Sequence, residues 1–287
     1  MLFLTSLGTF LLDVGIALIP FVIVLWIYKV IVQGRYRGSG LDLDRELGAA
    51  ENPAVNLLMV GLLFGLVFAF RGVAFPEGVP LKDRILQLAL YGAVVIALQL
   101  VAQVLTDKII LRRFNDAKQV FGEQNTSVAL VKAAIAVATG QMVAAATGGN
   151  VHMLGQALIW FVVGQAVLVL LGVFYQWITP YDIQKELEEK NLAVGFGFSG
   201  MLIAGGIVVS RAVSGGATTE WSAELLSVGT FVLAIALVAV LMRFVFDWIV
   251  LPKVSFNEEI AEHRNVGAGL IEASAFILPA MYIVQVL

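Results

Sequence analysis

Four ionisable side chains stand in or beside apolar stretches of this sequence: Asp107, Lys132, Asp247 and Glu272. Lys132 lies in "NTSVALVKAAIAVATG" and Glu272 in "NVGAGLIEASAF", each seven residues after an asparagine, so related segments carry opposite charge at one position. Such charges can line a path for protons or small ions, or they can pair and lock helices in register. Ionisable groups inside membrane spans are costly and mark functional sites by default. A fixed positive charge at Lys132 opposes cation passage unless a carboxylate such as Asp107 or Glu272 neutralises it.

The surroundings of these residues are strongly apolar. With 60% hydrophobic and 14% charged residues and a mean hydropathy of +0.92, the chain departs far from soluble domains, which carry about 25% charged residues. Eight apolar runs, at 8–32 and near 53–72, 85–106, 126–147, 154–178, 192–211, 225–250 and 266–286, approach or exceed the roughly 20 residues that cross a bilayer. They predict an all-α, polytopic bundle of eight transmembrane helices. The first run has no basic segment before it and is longer than the roughly 7–15 apolar residues of a signal-peptide core, so it reads as a retained span. The absence of cysteine removes disulfides and thiol catalysis. A net charge of -3 gives no sign of a nucleic-acid partner. Gly-rich phosphate loops, HExxH and nucleophile elbows are missing, and His152 and His263 are predicted on opposite membrane faces. No enzyme activity, catalytic residue, metal or cofactor is expected.

The spans are organised by an internal repeat. Asn52, Asn125, Asn191 and Asn265, which are 73, 66 and 74 residues apart, anchor one pattern. Two residues after each comes a small residue (Ala54, Ser127, Ala193, Gly267), and nine after it another (Gly61, Ala134, Gly200, Ser274). Before each lies a polar linker with an acid (Asp44, Asp116, Asp182, Glu258), and before that a long helix whose end aligns Lys29, Asp107, Gln176 and Asp247. Each repeat is thus a hairpin of a long helix A, a linker and a small-residue-rich helix B. Two spans per unit predict four parallel hairpins with both termini on one side. They group into four-span halves at 1–150 and 151–287.

Orientation follows from the basic residues. Twelve lie in the A–B linkers or at their helix ends (Lys29, Arg35, Arg37, Arg45, Lys108, Arg112, Arg113, Lys118, Lys185, Lys190, Lys253, Arg264) and four at the other face (Arg71, Lys82, Arg84, Arg211). This excess places the linkers in the cytoplasm and, in a bacterial host, both termini in the periplasm. Positions 2, 9 and 13 after each anchor share one small face, Leu278 excepted, which allows the close helix contacts that lipid does not otherwise drive. B helices are therefore expected inside and A helices outside.

Positions 0, 4 and 7 form the opposite stripe, which puts Lys132 and Glu272 about 10 Å into a core about 30 Å thick. The anchor asparagines suit helix capping, with Pro53 a favoured first-turn residue after Asn52. Asp13 suits the start of the first span, Asp247 lies one turn after Arg243 as a local pair, and Gln99, Gln103, Gln141 and Gln165 are candidates for interhelical hydrogen bonds. The linkers "LDLDRELGAAEN" and "YDIQKELEEKN" look like short amphipathic or solvated helices.

The run "PYDIQKELEEKNLAVGFGFSGMLIAGG", an acid-bearing linker followed by Asn and a small-residue span, resembles the YjfL family of bacterial inner-membrane proteins, a domain of unknown function. The likeness covers nearly the whole chain as two tandem copies and is weakest in the fourth repeat, where His263 replaces the acid two before the anchor. It implies inner-membrane residence and association with envelope-stress proteins, and carries over no catalytic residue. Two functions follow: a conduit or binding site for an ion or small charged solute along Asp107, Lys132, Asp247 and Glu272, or a membrane scaffold whose linkers recruit a cytoplasmic protein. Homo-oligomer contacts through the small faces are a further expectation.

Overall fold

The computed structural model describes residues 22–23, 25–27, 29–34, 37, 42–48, 51–71, 73, 79–148, 153–213, 221–245, 248–249 and 254–286. Most of the first expected span, together with Asp13, His152 and Asp247, lies outside the described residues. The described residues between 22 and 34 are helical. The elements that follow are α1 (Leu43–Leu47), α2 (Pro53–Phe70), α3 (Leu81–Leu105), α4 (Thr126–Thr147), α5 (Leu154–Ile178), α6 (Ile183–Glu188), α7 (Leu192–Val213), α8 (Trp221–Val245), α9 (Phe256–Ala261) and α10 (Val266–Val286). Seven helices among the described residues are long and apolar enough to span a bilayer: α2, α3 with its continuation to Ile110, α4, α5, α7, α8 and α10.

The small-residue helices form a row in which α2 packs on α4, α4 on α7 and α7 on α10. Glycine and alanine permit this: a Cβ on Gly61 would strike Ala133 of α4, and one on Gly200 would come within 2.7 Å of the Ala273 Cβ of α10. Gly195 of α7 lies against Ser127 of α4, and Gly206 further along α7 lies against Ala138 further along α4. These contacts advance in the same direction along both helices. The long helices lie over the row, α3 against α2 and α4, α5 against α4 and α7, and α8 against α7 and α10. Burial peaks in the middle, at 72% of the most apolar stretch of α4 and 78% of that of α7, against 44% for α2 and 39% for α10. The expected division of B inside and A outside therefore holds for the central helices, while the ends of the row are no more enclosed than α3 and α5, at 44% each.

The joints between linker and B helix are built alike. Glu51, Gln124, Lys190 and Arg264, each just before an anchor asparagine, adopt positive φ of 47°, 54°, 64° and 51°. This left-handed residue unwinds the linker helix so that the asparagine N–H turns back to a carbonyl five or six residues earlier: Asn52 to Glu46 at 3.1 Å, Asn125 to Gln119 at 2.8 Å, Asn191 to Glu186 and Asn265 to Glu259 at 2.9 Å each. The asparagine Oδ1 then accepts the first free N–H groups of the next helix, as from Ala54 and Val55 at 3.1 and 3.2 Å. Three short linker helices are amphipathic, burying Leu43 on α1, Ile183 and Leu187 on α6, and Phe256 and Ile260 on α9.

Candidate functional site

Lys132 is 1% exposed, one of the largest fully enclosed side chains in the protein. Its Nζ meets Asp107 and, at 2.5 Å, Asp116. Asp107 belongs to a π-helical turn, Thr106–Ile110, that continues α3; such turns recur at functional positions because they re-aim a side chain. Asp116 comes from the following linker, two residues before a second π-helical segment, Lys118–Gly122. One repeat thus supplies all three groups. With 11% and 14% of their side chains exposed, the two carboxylates form the linker-side wall of the site.

A ladder of polar side chains runs along α3 and α4 away from the lysine. Gln103 donates to the Lys132 carbonyl at 3.1 Å and Gln99 to the Ala136 carbonyl at 2.9 Å. Gln165 of α5 donates to Thr139 at 3.1 Å, and the Tyr91 hydroxyl reaches the Ala69 carbonyl at 2.6 Å and Thr147 at 3.1 Å near the far end. The Oε1 atoms of Gln99, Gln103 and Gln141 are buried acceptors with no side-chain or backbone donor among the described residues.

Glu272, also 1% exposed, does not meet Lys132. It pairs with Arg243 of α8 at 2.6 Å and accepts the Tyr175 hydroxyl of α5 at 2.6 Å. Arg243 further donates to the Ile178 carbonyl at 3.0 Å and to Asn257 at 3.1 Å, and its guanidinium lies 5.7 Å from the centre of the Tyr175 ring. Gly197 of α7 provides the room, since a Cβ there would collide with the Glu272 carboxylate and come within 2.6 Å of the Tyr175 hydroxyl. In the linker after α5, burial and then the Glu272 charge push the Tyr181 hydroxyl well above the ordinary tyrosine range.

Of the four candidate residues, Lys132 and Asp107 come together, Glu272 stands in a separate cluster and Asp247 lies outside the described residues. Asp116, Tyr175, Tyr181, Arg243 and Gly197 complete the two sites without having been assigned to them from sequence. The repeat alignment held a usable signal: Arg243 falls at the position of Gln103, one turn before the aligned Asp107 and Asp247, and so faces the same buried point on the B helix.

The anchor asparagines do more than cap. Asn52 Nδ2 donates to the Val120 and Phe121 carbonyls at 3.4 Å each, Asn125 to those of Leu187 and Glu188 at 2.8 and 3.3 Å, and Asn191 to those of Ile260 and Ala261 at 2.9 and 3.4 Å. Each therefore ties its helix to the linker of the next repeat. Each also bonds an acid or amide of its own linker: Glu46, Gln119, Glu186 and, for Asn265, Glu259. Among the described residues there is no cluster of His, Cys, Asp and Glu suited to a metal ion.

Comparison with known proteins matches residues 1–147 and 150–287, in turn, to the family described as Domain of Unknown Function (DUF350). The chain belongs to this family and carries the domain in two tandem copies. It is also similar to a protein named UPF0719 transmembrane protein from Aquifex aeolicus (strain VF5), 21% identical over 248 residues that cover 85% of this chain and 90% of the relative. No solved structure matches.

Proposed function

We propose that this DUF350-family membrane protein binds and transfers protons at the Lys132–Asp107–Asp116 cluster, the polar ladder along α3 and α4 leading from it across the bilayer. The observation that carries this reading is the convergence of two carboxylates on one buried ammonium at the linker end of the helices. Such a group titrates as a unit, so a proton gained by one carboxylate is felt by all three. The close backbone packing along the row favours a proton over a hydrated ion as the transferred species. The Gln99 and Gln103 Oε1 atoms, without a donor among the described residues, are acceptors that suit water along the ladder.

The topology that goes with this reading is eight spans in four parallel hairpins, with linkers cytoplasmic and both termini periplasmic in a bacterial inner membrane. Support comes from the twelve-to-four distribution of basic residues and from four linker joints sharing one left-handed residue and one asparagine cap.

Purified protein in liposomes, with proton, K⁺ and Na⁺ flux measured beside Lys132→Met and Asp116→Asn, tests the proposal. Proton flux above empty liposomes that either substitution changes, with the fold intact, is the expected outcome. A different result, no flux and a loss of thermal stability in Lys132→Met, would favour a scaffold whose linkers recruit a cytoplasmic protein. The locally balanced Arg243–Glu272–Tyr175 cluster, closed over by Gly197, is the observation on that side.

A further inference from the structure

The row of small-residue helices is open, and the way it ends defines a partner. Within the chain one interface is used three times. Position 2 of a helix meets position 4 of the next, as Ser127 meets Gly195 and Ala193 meets Gly269; position 9 meets position 8, as Gly61 meets Ala133 and Gly200 meets Ala273. At the end of the row α10 presents positions 2 and 9, Gly267 and Ser274, exposed. At its start α2 presents position 8, Val60, 45% exposed.

Two further observations show what is missing beside α10. Asn52, Asn125 and Asn191 each donate to two carbonyls in the next repeat's linker, whereas the bond found for the Asn265 Nδ2 is to Glu259 of its own linker, and Asn265 is exposed. Elsewhere, positions 13 to 17 of a B helix receive the following A helix. Gly65 and Ala69 meet Gln99 and Tyr91, and Thr139 and Met142 meet Gln165 and Gly164. On α10 the equivalent Leu278, Pro279 and Tyr282 instead line an open apolar groove of about 660 Å³ beside Met242 of α8.

We infer that a second copy of this chain docks here, its α2 against α10, so that copies associate head to tail and the repeat continues between molecules. The Asn265 amide then donates to the partner's carbonyls at the positions of Leu47 and Gly48, which match Val120 and Phe121 in the repeat. Such an interface is heterologous, joining different faces of the two copies. Asn56, Val60 and Val67 on α2 and Leu278 on α10 are bulkier than their counterparts inside the chain, so this junction is wider than those within it. This inference stands apart from proton binding and shares with it only the repeat architecture.

The chain has no cysteine, so single cysteines report directly. Membranes containing both a Val60→Cys chain and a Ser274→Cys chain are oxidised and the products resolved by mass. A crosslinked dimer in the mixture, absent when either variant is alone, is expected, and Asn265→Ala on the Ser274→Cys chain should lower its yield. Crosslinking of Ser274→Cys with itself would replace the head-to-tail contact by a symmetric one and overturn the inference. No crosslink, together with a monomer mass for the unmodified protein in native mass spectrometry, would overturn it by leaving lipid in the groove.

Discussion

In the first half of the chain a lysine on α4 faces two aspartates; at the equivalent point of the second half a glutamate on α10 faces an arginine on α8. The position is fixed by the repeat, because position 7 of α4, α7 and α10 points toward the end of the A helix of its own repeat, but the sign is free so long as the partner complements it. Side-chain length decides where the partner comes from. Lysine is long enough to reach Asp107 on the aligned turn and Asp116 in the linker. Glutamate is short, so its partner is the longer arginine, placed one turn earlier where the first half has Gln103. Tyr175 then fills the remaining acceptor capacity of the carboxylate from a neighbouring repeat. One cluster is thus made within a repeat and opens toward the linkers, while the other joins helices of two repeats and is closed by Gly197.

Removing one charge from each half should separate these designs most strongly. Arg243→Met leaves Glu272 buried without its cation, and a loss of about 3–5 kcal/mol is expected from thermal or denaturant unfolding in nanodiscs. The double variant Arg243→Met/Glu272→Gln should recover most of that loss; equal losses in single and double variants would show that the pair is not coupled. Lys132→Met should cost a similar amount at neutral pH and less as the pH falls, since Asp107 and Asp116 become neutral on protonation. A pH-independent loss would contradict the picture of carboxylates gathered around one ammonium.

Smaller changes sharpen the contrast. Tyr175→Phe removes a hydrogen bond to a charged acceptor and should cost about 1.5–3 kcal/mol, whereas Gln103→Leu removes a neutral bond and should cost about 0.5–1.5 kcal/mol. The same unfolding assay ranks them, and a larger effect at Gln103 would reverse the assignment of the second cluster as the tighter one. The least effect is expected at the exposed His263–Glu259 pair on the last linker. The Glu259 carboxylate holds the His263 imidazole above its ordinary range, and hydrogen bonds from Asn265 and then His263 hold Glu259 below its own. A raised histidine stabilises the fold below its unfolded pKa, and that contribution fades as pH rises through the folded value; the lowered glutamate contributes above its unfolded pKa and fades as pH falls. The pair therefore acts between the two, and an NMR titration of His263 should shift downward in Glu259→Gln. An unchanged midpoint would remove the pair from the linker's charge network.

Much of this architecture was legible along the chain. Apolar runs, small-residue positions and asparagine caps are local features, and the amphipathic linkers show their buried face through Ile183, Leu187, Phe256 and Ile260. The candidate sites were less so. Arg243 and Asp247 suggest a local pair at i and i+4, and Asp247 lies outside the described residues; what the spacing did not suggest is that the guanidinium also reaches Glu272, 29 residues on, a buried carboxylate it can neutralise across the helix interface. Asp116 reads as one of four solvated linker acids until the π-helical turns fold it back over Lys132. The left-handed residue before each anchor gave no signal either: Glu, Gln, Lys and Arg have no special liking for that conformation, which the joint imposes on them.

The sequence by itself determined that the chain is a repeated membrane protein, since hydropathy, helical period and spacing are properties of short segments. Only the tertiary structure decided which charges meet, that the asparagines tie successive repeats together, and that the row of helices is left open at α10. Those outcomes depend on side-chain reach and close backbone approach between residues far apart in the chain.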